Sequence, residues 1–278
     1  MEVELNGVRI YYEVEGQGTR TVMTLHGGPG IGDGNDNKGM FTPLHDEFRF
    51  VYFDQRGNGR SGDADPSTYT HEQIVEDTEA LRIHLKLDSF SLSGGSYGGM
   101  LAMEYALKYP ERVDRMILRG TAASSELQQY AFENALKSNL EGINESMLRN
   151  LFYGRMTSDD DLKLHFARIY PLYSKKYTPE KAAKLFERKQ FRYQTHNAFF
   201  RHAFPSYDIR DQLQDIRAPT LILAGRHDWI TPLKFARELA EGIPGARLEI
   251  FEEAGHSINA DMPEKFREVV RRFLRGDD

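Results

Sequence analysis

The sequence predicts an α/β fold: a doubly wound, mostly parallel sheet covered by helices on both faces, with a helical lid inserted between two core strands. Three observations lead there. Short apolar runs bounded by turn residues alternate with helical stretches. One run, Ser89-Phe90-Ser91-Leu92-Ser93, enters a glycine-rich turn that opens directly into a helix. From about 122 to 210 the alternation stops and only helix signals remain. The division that follows is core over 1–121, lid over 122–210 and core again over 211–278.

Each element has its local reason. Val3 to Tyr12 reads as a β-hairpin turned at Asn6-Gly7, a pair that tolerates the positive φ of a two-residue turn. Thr21 to Leu25 is a short apolar strand running into a glycine loop, and Phe48 to Phe53 is another, ending at Asp54. Thr70-His71-Glu72-Gln73 is a capping box that opens a helix running to about Leu87. After the glycine turn, Met100 to Tyr109 is helical and is stopped by Pro110. Arg115 to Gly120, Thr220 to Gly225 and Arg247 to Phe251 complete the strands, with helices at about 232–241 and 263–274. In the lid, Ser158 precedes three acids suited to a first turn, and Thr178-Pro179-Glu180 is a cap followed by proline. The lid is rich in aromatics, including Phe199 and Phe200, of which a few are expected to line a pocket.

Composition narrows the function. At 278 residues, 40% hydrophobic and 28% charged, the chain can bury a large core. No apolar stretch is long enough to span a bilayer, and the first residues show neither a basic nor an apolar leader segment, so a cytoplasmic location is expected. The absence of cysteine excludes a disulfide framework, a thiol nucleophile and thiolate metal sites. A net charge of −6 without a basic stripe argues against a nucleic-acid partner. A small molecule or short peptide is the expected partner.

The run Gly94-Gly95-Ser96-Tyr97-Gly98 fits G-x-S-x-G, in which a sharp strand-to-helix turn presents a serine hydroxyl at the end of a sheet. A serine hydroxyl needs a base, and the base needs an orienting acid. Asp228 follows the strand Thr220 to Gly225, and His256 follows the strand Arg247 to Phe251. Both therefore fall at strand C-terminal ends, the edge where the serine turn also sits. The order Ser, Asp, His is the one doubly wound hydrolases use. The remaining histidines lie on helices, in the lid or in other motifs and read as packing or surface residues.

His26-Gly27-Gly28-Pro29-Gly30 directly follows the Thr21 to Leu25 strand. Acyl transfer creates an oxyanion, and a glycine loop can turn backbone N–H groups toward it. The N–H groups of Gly28 and Tyr97 are the expected donors. A nucleotide-binding reading of Gly28 to Gly32 is set aside because residues 34–37 read as continuing loop, without the helix such a site requires. An EF-hand reading of Asp33 to Asn37 fails because Lys38 stands where glycine is required and Leu44 where glutamate is.

With these motifs in hand, the chain resembles the α/β-hydrolase superfamily along nearly its full length. More narrowly it resembles the proline iminopeptidase family, through His26 to Gly30, Asp54-Gln55-Arg56-Gly57-Asn58-Gly59-Arg60-Ser61, Gly94 to Gly99, Gly225 to Asp228 and Gly255-His256. The resemblance implies a Ser96–His256–Asp228 triad, no cofactor, no metal, a helical lid and release of N-terminal proline from peptides. It also implies that the Asp54 to Ser61 loop braces the site. One departure bears on specificity. Family peptidases hold the substrate's α-ammonium with acidic side chains, one of them directly after the catalytic aspartate. Here Trp229 follows Asp228, and Thr195 to Phe200 holds no acid. Glu126, Glu133 and Asp208 are the remaining candidates for that role. With Trp229, Phe199 and Phe200 as substrate contacts, the alternatives are a carboxylesterase, lactonase or amidase. A non-catalytic binding protein on a hydrolase fold is the rival of another class, and it fits less well because all three triad candidates are present.

Overall fold

The computed structural model describes residues 1–277; Asp278, the last position of the 211–278 segment, lies outside the described residues. Eight strands form one sheet: β1 (Glu2–Leu5), β2 (Val8–Glu15), β3 (Thr21–Leu25), β4 (Arg49–Phe53), β5 (Phe90–Gly95), β6 (Val113–Arg119), β7 (Thr220–Gly225) and β8 (Arg247–Phe251). Their spatial order is β1-β2-β4-β3-β5-β6-β7-β8. The first two pairings, β1 with β2 and β2 with β4, are antiparallel, and all later ones are parallel. The hairpin turns at Asn6 (φ 48°) and Gly7 (φ 75°), as the Asn-Gly pair predicts. From β3 the chain steps to β4 on one side and then to β5 on the other. This reversal opens a crevice beyond the strand C-termini, where such sheets bind ligands.

Alternation along the strands divides the core into two faces. Val22, Leu221 and Leu223 point to a cluster with Phe41 of helix α1 (Gly34–Phe41) and with Phe266, Val270, Phe273 and Leu274 of the C-terminal helix. Met23, Ile222 and Ala224 point the other way, toward helices α2 (His71–His84) and α3 (Tyr97–Lys108). Burying each such Leu, Val or Phe side chain is worth about 1.5–3 kcal/mol, so the two faces together hold the sheet. The stretch between β6 and β7 carries α4 (Leu127–Lys137), α5 (Glu145–Phe152), α6 (Asp159–Ile169), α7 (Pro179–Arg188) and α8 (Tyr193–Ala198), then a π-helical turn at Phe199–Ala203. It leaves and returns side by side, through Ser125 N–H to Tyr207 C=O (2.8 Å) and Ile209 N–H to Ala123 C=O (2.8 Å). Helices α9 (Leu233–Gly242), α10 (Ile258–Asp261) and α11 (Pro263–Arg275) finish the chain. Among the described residues no helix is long and apolar enough to cross a membrane.

Three local expectations are corrected. At α2, Thr70 does cap the Gln73 N–H (3.2 Å), but the Gln73 amide turns to Asp77 (3.4 Å), so the box is half formed. The helix also ends at His84, because the chain turns through Lys86 at φ 56°. The larger correction concerns residues 34–37, which are helix rather than loop. Asp33 caps α1 and forms a reciprocal box with Asp36. The nucleotide-binding reading still fails, for a different reason. The first amides of α1 are spent on carboxylates, Gly34 N–H on Asp54 (2.7 Å) and Asn35 N–H on Asp33 (2.8 Å), which leaves a phosphate no donors there.

Candidate active site

The chain passes from β5 into α3 at Ser96, whose backbone sits at φ 53°, ψ −123°. A non-glycine residue there stores strain of about 1–3 kcal/mol, and such strain clusters at functional positions. Ser96 N–H donates to the Arg119 carbonyl at 2.8 Å, and the Thr121 hydroxyl donates to the Ser96 carbonyl at 2.8 Å. These bonds hold the turn against the end of β6.

Asp228 follows β7 and His256 follows β8, and the two meet with His256 Nδ1 2.7 Å from Asp228 Oδ2. A carboxylate only accepts, so Nδ1 carries the proton and a neutral ring keeps Nε2 as its acceptor. Asp228 is buried and well supplied with donors. Its Oδ1 receives the N–H groups of Ile230 (2.8 Å) and Thr231 (2.9 Å), and its Oδ2 receives the Thr231 hydroxyl (2.6 Å). Beneath the pair lies Gly120, at φ 48°. A Cβ there would stand 3.1 Å from Asp228 Oδ2 and from the His256 ring, so the residue is glycine for both backbone and space.

The glycine loop after β3 lies beside the serine turn, since β3 and β5 pair in parallel with Leu25 opposite Gly94. Among the described residues neither the Gly28 nor the Tyr97 N–H donates to a protein acceptor. For Tyr97 this follows from its place in the first turn of α3. The Asp54 to Ser61 loop braces this region. Gln55 N–H donates to His26 Nε2 (3.0 Å), and the Gln55 amide donates to the His26 carbonyl (2.9 Å). Asn58 Oδ1 accepts the Gly30 N–H at 2.7 Å. Buried Arg56 anchors the loop by a two-pronged bond to Asp77 at 2.6 and 2.7 Å.

Two cavities adjoin at Ser96. The larger, about 400 Å³, is lined by Gly28, Ser96, His256, Arg119, Asn37 and Asp36, with Arg188 and Lys189 from the helical insertion. The smaller, about 100 Å³, is apolar and is lined by Tyr97, Leu151, Phe152, Phe199, Phe200 and Ile230 together with Ser96 and Gly28. Tyr173 and Phe166 belong to both. Among the lining residues the only carboxylate is Asp36, and Lys189 holds it at 2.7 Å.

The residues singled out for substrate contact divide. Phe199 and Phe200 line the apolar chamber, with Phe199 also set edge-on to Tyr97 (4.6 Å between centroids). Trp229 is among the lining of neither cavity, which corrects the expectation of a tryptophan wall. Its ring packs behind Tyr173 (5.6 Å) and Phe152 (6.5 Å), and those two rings form the wall instead. The stand-in anchors are elsewhere. Glu126 pairs with Lys234 and Arg210, Glu133 with Lys137, and Asp208 with Arg210, all on the surface. Asn197 is spent on both backbone groups of Met156.

Sequence reading missed Thr231, Gly120 and Tyr173. Tyr173 sets its ring edge-on to His256 at 5.4 Å and accepts the Ser257 N–H at 2.8 Å. It also missed Asp261, whose carboxylate ties the His256 loop to the insertion through Gly255 N–H (2.8 Å) and Ser174 (2.5 Å). Thr231 alone had a local signal: a hydroxyl three residues after the acid suits an Asx-type turn.

Comparison with known proteins agrees with this architecture. A family model described as alpha/beta hydrolase fold matches residues 20–263. The chain is similar to the proline iminopeptidase PfmaB of Pestalotiopsis fici, at 32% identity over 277 residues, covering 98% of each chain. Among solved structures it is similar to an N-acyl homoserine lactone degrading enzyme, at 26% identity and a TM-score of 0.79, with 98% of this chain and 100% of that one covered. It is also similar to the esterase EaEST of Exiguobacterium antarcticum, at 26% identity and a TM-score of 0.75, with 99% and 98% covered.

Proposed function

The chain belongs to the α/β-hydrolase fold family, and on that premise we propose that it is a serine hydrolase of small esters, lactones or amides that carry no α-ammonium group. Ser96 Oγ attacks the substrate carbonyl while His256 Nε2 takes its proton. Asp228 orients the imidazole and stabilises the imidazolium that forms. The Gly28 and Tyr97 N–H groups receive the oxyanion. His256 then protonates the leaving group, and water, activated by the same imidazole, releases the acyl group from Ser96. The observation that carries this reading is the convergence of Ser96, Gly28 and His256 on one cavity, with Nδ1 of that histidine held by Asp228. No metal or cofactor has a part in this scheme.

The 122–210 segment acts as the lid of this site, over a core of 1–121 and 211–278. Phe199, Phe200 and Tyr173 of that segment share a cavity lining with Ser96, which supports the assignment. The apolar chamber favours a neutral, hydrophobic substrate group. It is lined by no carboxylate that would meet an α-ammonium, and a buried ammonium without a partner costs several kcal/mol. Release of N-terminal proline is the second reading, favoured by the likeness to a proline iminopeptidase along 98% of the chain.

One set of assays decides between them. We expect Ser96 to be labelled by a fluorophosphonate probe and a short-chain aryl ester to be turned over. We also expect an N-acylated prolyl arylamide to be cleaved at least as well as the free-amine form. Strong preference for the free amine would overturn the specificity reading. Absence of labelling and turnover would overturn the mechanism.

A further inference from the structure

Arg119, the last residue of β6, takes no part in the steps above, yet its guanidinium stands beside the serine. In register it faces Gly95, and its Nη2 is so near that a Cβ on Gly95 would lie 2.5 Å away. The side chain is half-buried and keeps a face on the larger cavity, with Ser96, Gly28 and His256. Its partners are few. Among the described residues the guanidinium makes one hydrogen bond, Nη2 to Asn37 Oδ1 at 3.0 Å. Among the described residues its buried Nε has no acceptor and no carboxylate hydrogen-bonds to the guanidinium, the Asp36 charge acting on it only from a distance. Arg56, which is buried, shows the ordinary solution, a two-pronged bond to Asp77.

A half-buried cation with no carboxylate hydrogen-bonded to it leaves its fork free for an anionic ligand. Burial pushes Arg119 down to about 10, so it is still charged at neutral pH. The rest of the lining leans the same way. Lys189 and Arg188 add positive charge, and the single carboxylate, Asp36, is already held by Lys189. This cationic side and the apolar chamber meet at Ser96. A substrate reaching both would be anionic at one end and apolar at the other.

We propose that Arg119 docks a carboxylate of the substrate, so that the preferred substrates are esters, lactones or amides carrying a carboxylate a few bonds from the scissile carbonyl. The planar guanidinium fork matches a carboxylate in shape as well as charge. Asn37, bonded to Nη2, holds the fork in place. The proposal rests on the serine-hydrolase reading above and names the substrate class of that same site.

The test compares two matched pairs in the wild-type protein. One pair is the 4-nitrophenyl monoester of glutaric acid and its methyl-capped form, with the carboxylate on the acyl side. The other is 3-acetoxybenzoic acid and its methyl ester, with the carboxylate on the leaving-group side. At least one pair is expected to show kcat/KM at least tenfold higher for the free acid. That ratio is expected to fall tenfold or more in Arg119→Gln and to be partly kept in Arg119→Lys. Ratios near one or below in both wild-type pairs overturn the proposal, and so does an unchanged ratio in Arg119→Gln. The wild-type pairs decide even where a variant does not fold. Fluorophosphonate labelling separates the two levels. A labelled enzyme that turns over the capped esters without acid preference removes the carboxylate dock alone. An unlabelled, inactive protein removes the dock and the serine-hydrolase reading together.

Discussion

The Thr231 hydroxyl donates to Asp228 Oδ2 at 2.6 Å, the same oxygen that holds His256 Nδ1 at 2.7 Å. This second donor fixes the carboxylate plane, and through it the direction of the imidazole. Thr231→Val removes the donor and keeps the shape. A hydrogen bond to a charged group is worth about 1.5–3 kcal/mol, so kcat for a short aryl ester is expected to fall roughly 10- to 100-fold with KM little changed. Thr231→Ser is expected to restore most of it. An equal loss in the serine variant would remove the hydroxyl from this role.

Ser96 combines a strained backbone with the hydroxyl proposed to react. Ser96→Ala is expected to lower kcat by on the order of 10⁴-fold or more while the protein stays folded. The strain at φ 53° separates a second variant. Glycine adopts positive φ freely, so Ser96→Gly is expected to be as inactive as Ser96→Ala and about 1 kcal/mol more stable than it. Denaturant melts of the two variants check this.

Gly120 lies under the histidine–aspartate pair, where a Cβ would stand 3.1 Å from both side chains. Gly120→Ala therefore meets a positive φ and a crowded site together. The expected cost in stability is about 1–3 kcal/mol, with a loss of kcat larger than the residual fold stability explains. Activity measured well below the melting temperature of the variant separates the two effects.

Phe199 and Phe200 line the same chamber but differ in their surroundings. Phe199 is buried, stacks on His71 and Phe204 at 5.8 and 5.1 Å and meets Tyr97 edge-on at 4.6 Å. Phe199→Ala is expected to cost about 3–5 kcal/mol of stability. Phe200 is only half-buried. Phe200→Ala is expected to be the milder lesion and to shift kcat/KM toward aryl esters with bulkier acyl groups, measured across a chain-length series.

His196 lines the apolar chamber, with its Nε2 2.9 Å from the Leu151 carbonyl. Burial pushes it down to about 4. In the unfolded chain a histidine takes up its proton near pH ~6.5, so between there and the folded value the unfolded chain holds more protons. Stability from this residue is therefore present above pH ~6.5 and is lost as pH falls toward the folded value. Tm is expected to drop across that window, and to drop less in His196→Gln. Parallel Tm profiles for the two proteins would remove His196 as the cause.

The strands and the serine turn were legible because their signals are local. Thr220 to Gly225 is apolar without interruption, and Gly94 to Gly98 needs its glycines for the backbone itself. Asp228 and His256 could be named because each follows a readable strand, and parallel strands bring their C-terminal ends to one edge. Helix α1 was not legible. Gly34-Asn35-Asp36-Asn37 has poor helix propensity and no apolar period. It forms because the Asp54 and Asp33 carboxylates take its first amides and because Phe41 is buried against β4 and α11. Trp229 was misread for the same kind of reason, since adjacency to Asp228 in the chain says nothing of which way the ring turns. Whether a side chain lines a cavity, as Arg119 does, or packs behind other rings, as Trp229 does, is set by neighbours from distant parts of the chain. Sequence alone determined the order of elements and named the candidates for the chemistry. Tertiary packing decided which groups share a wall, which charges find partners and which of them is left facing a cavity.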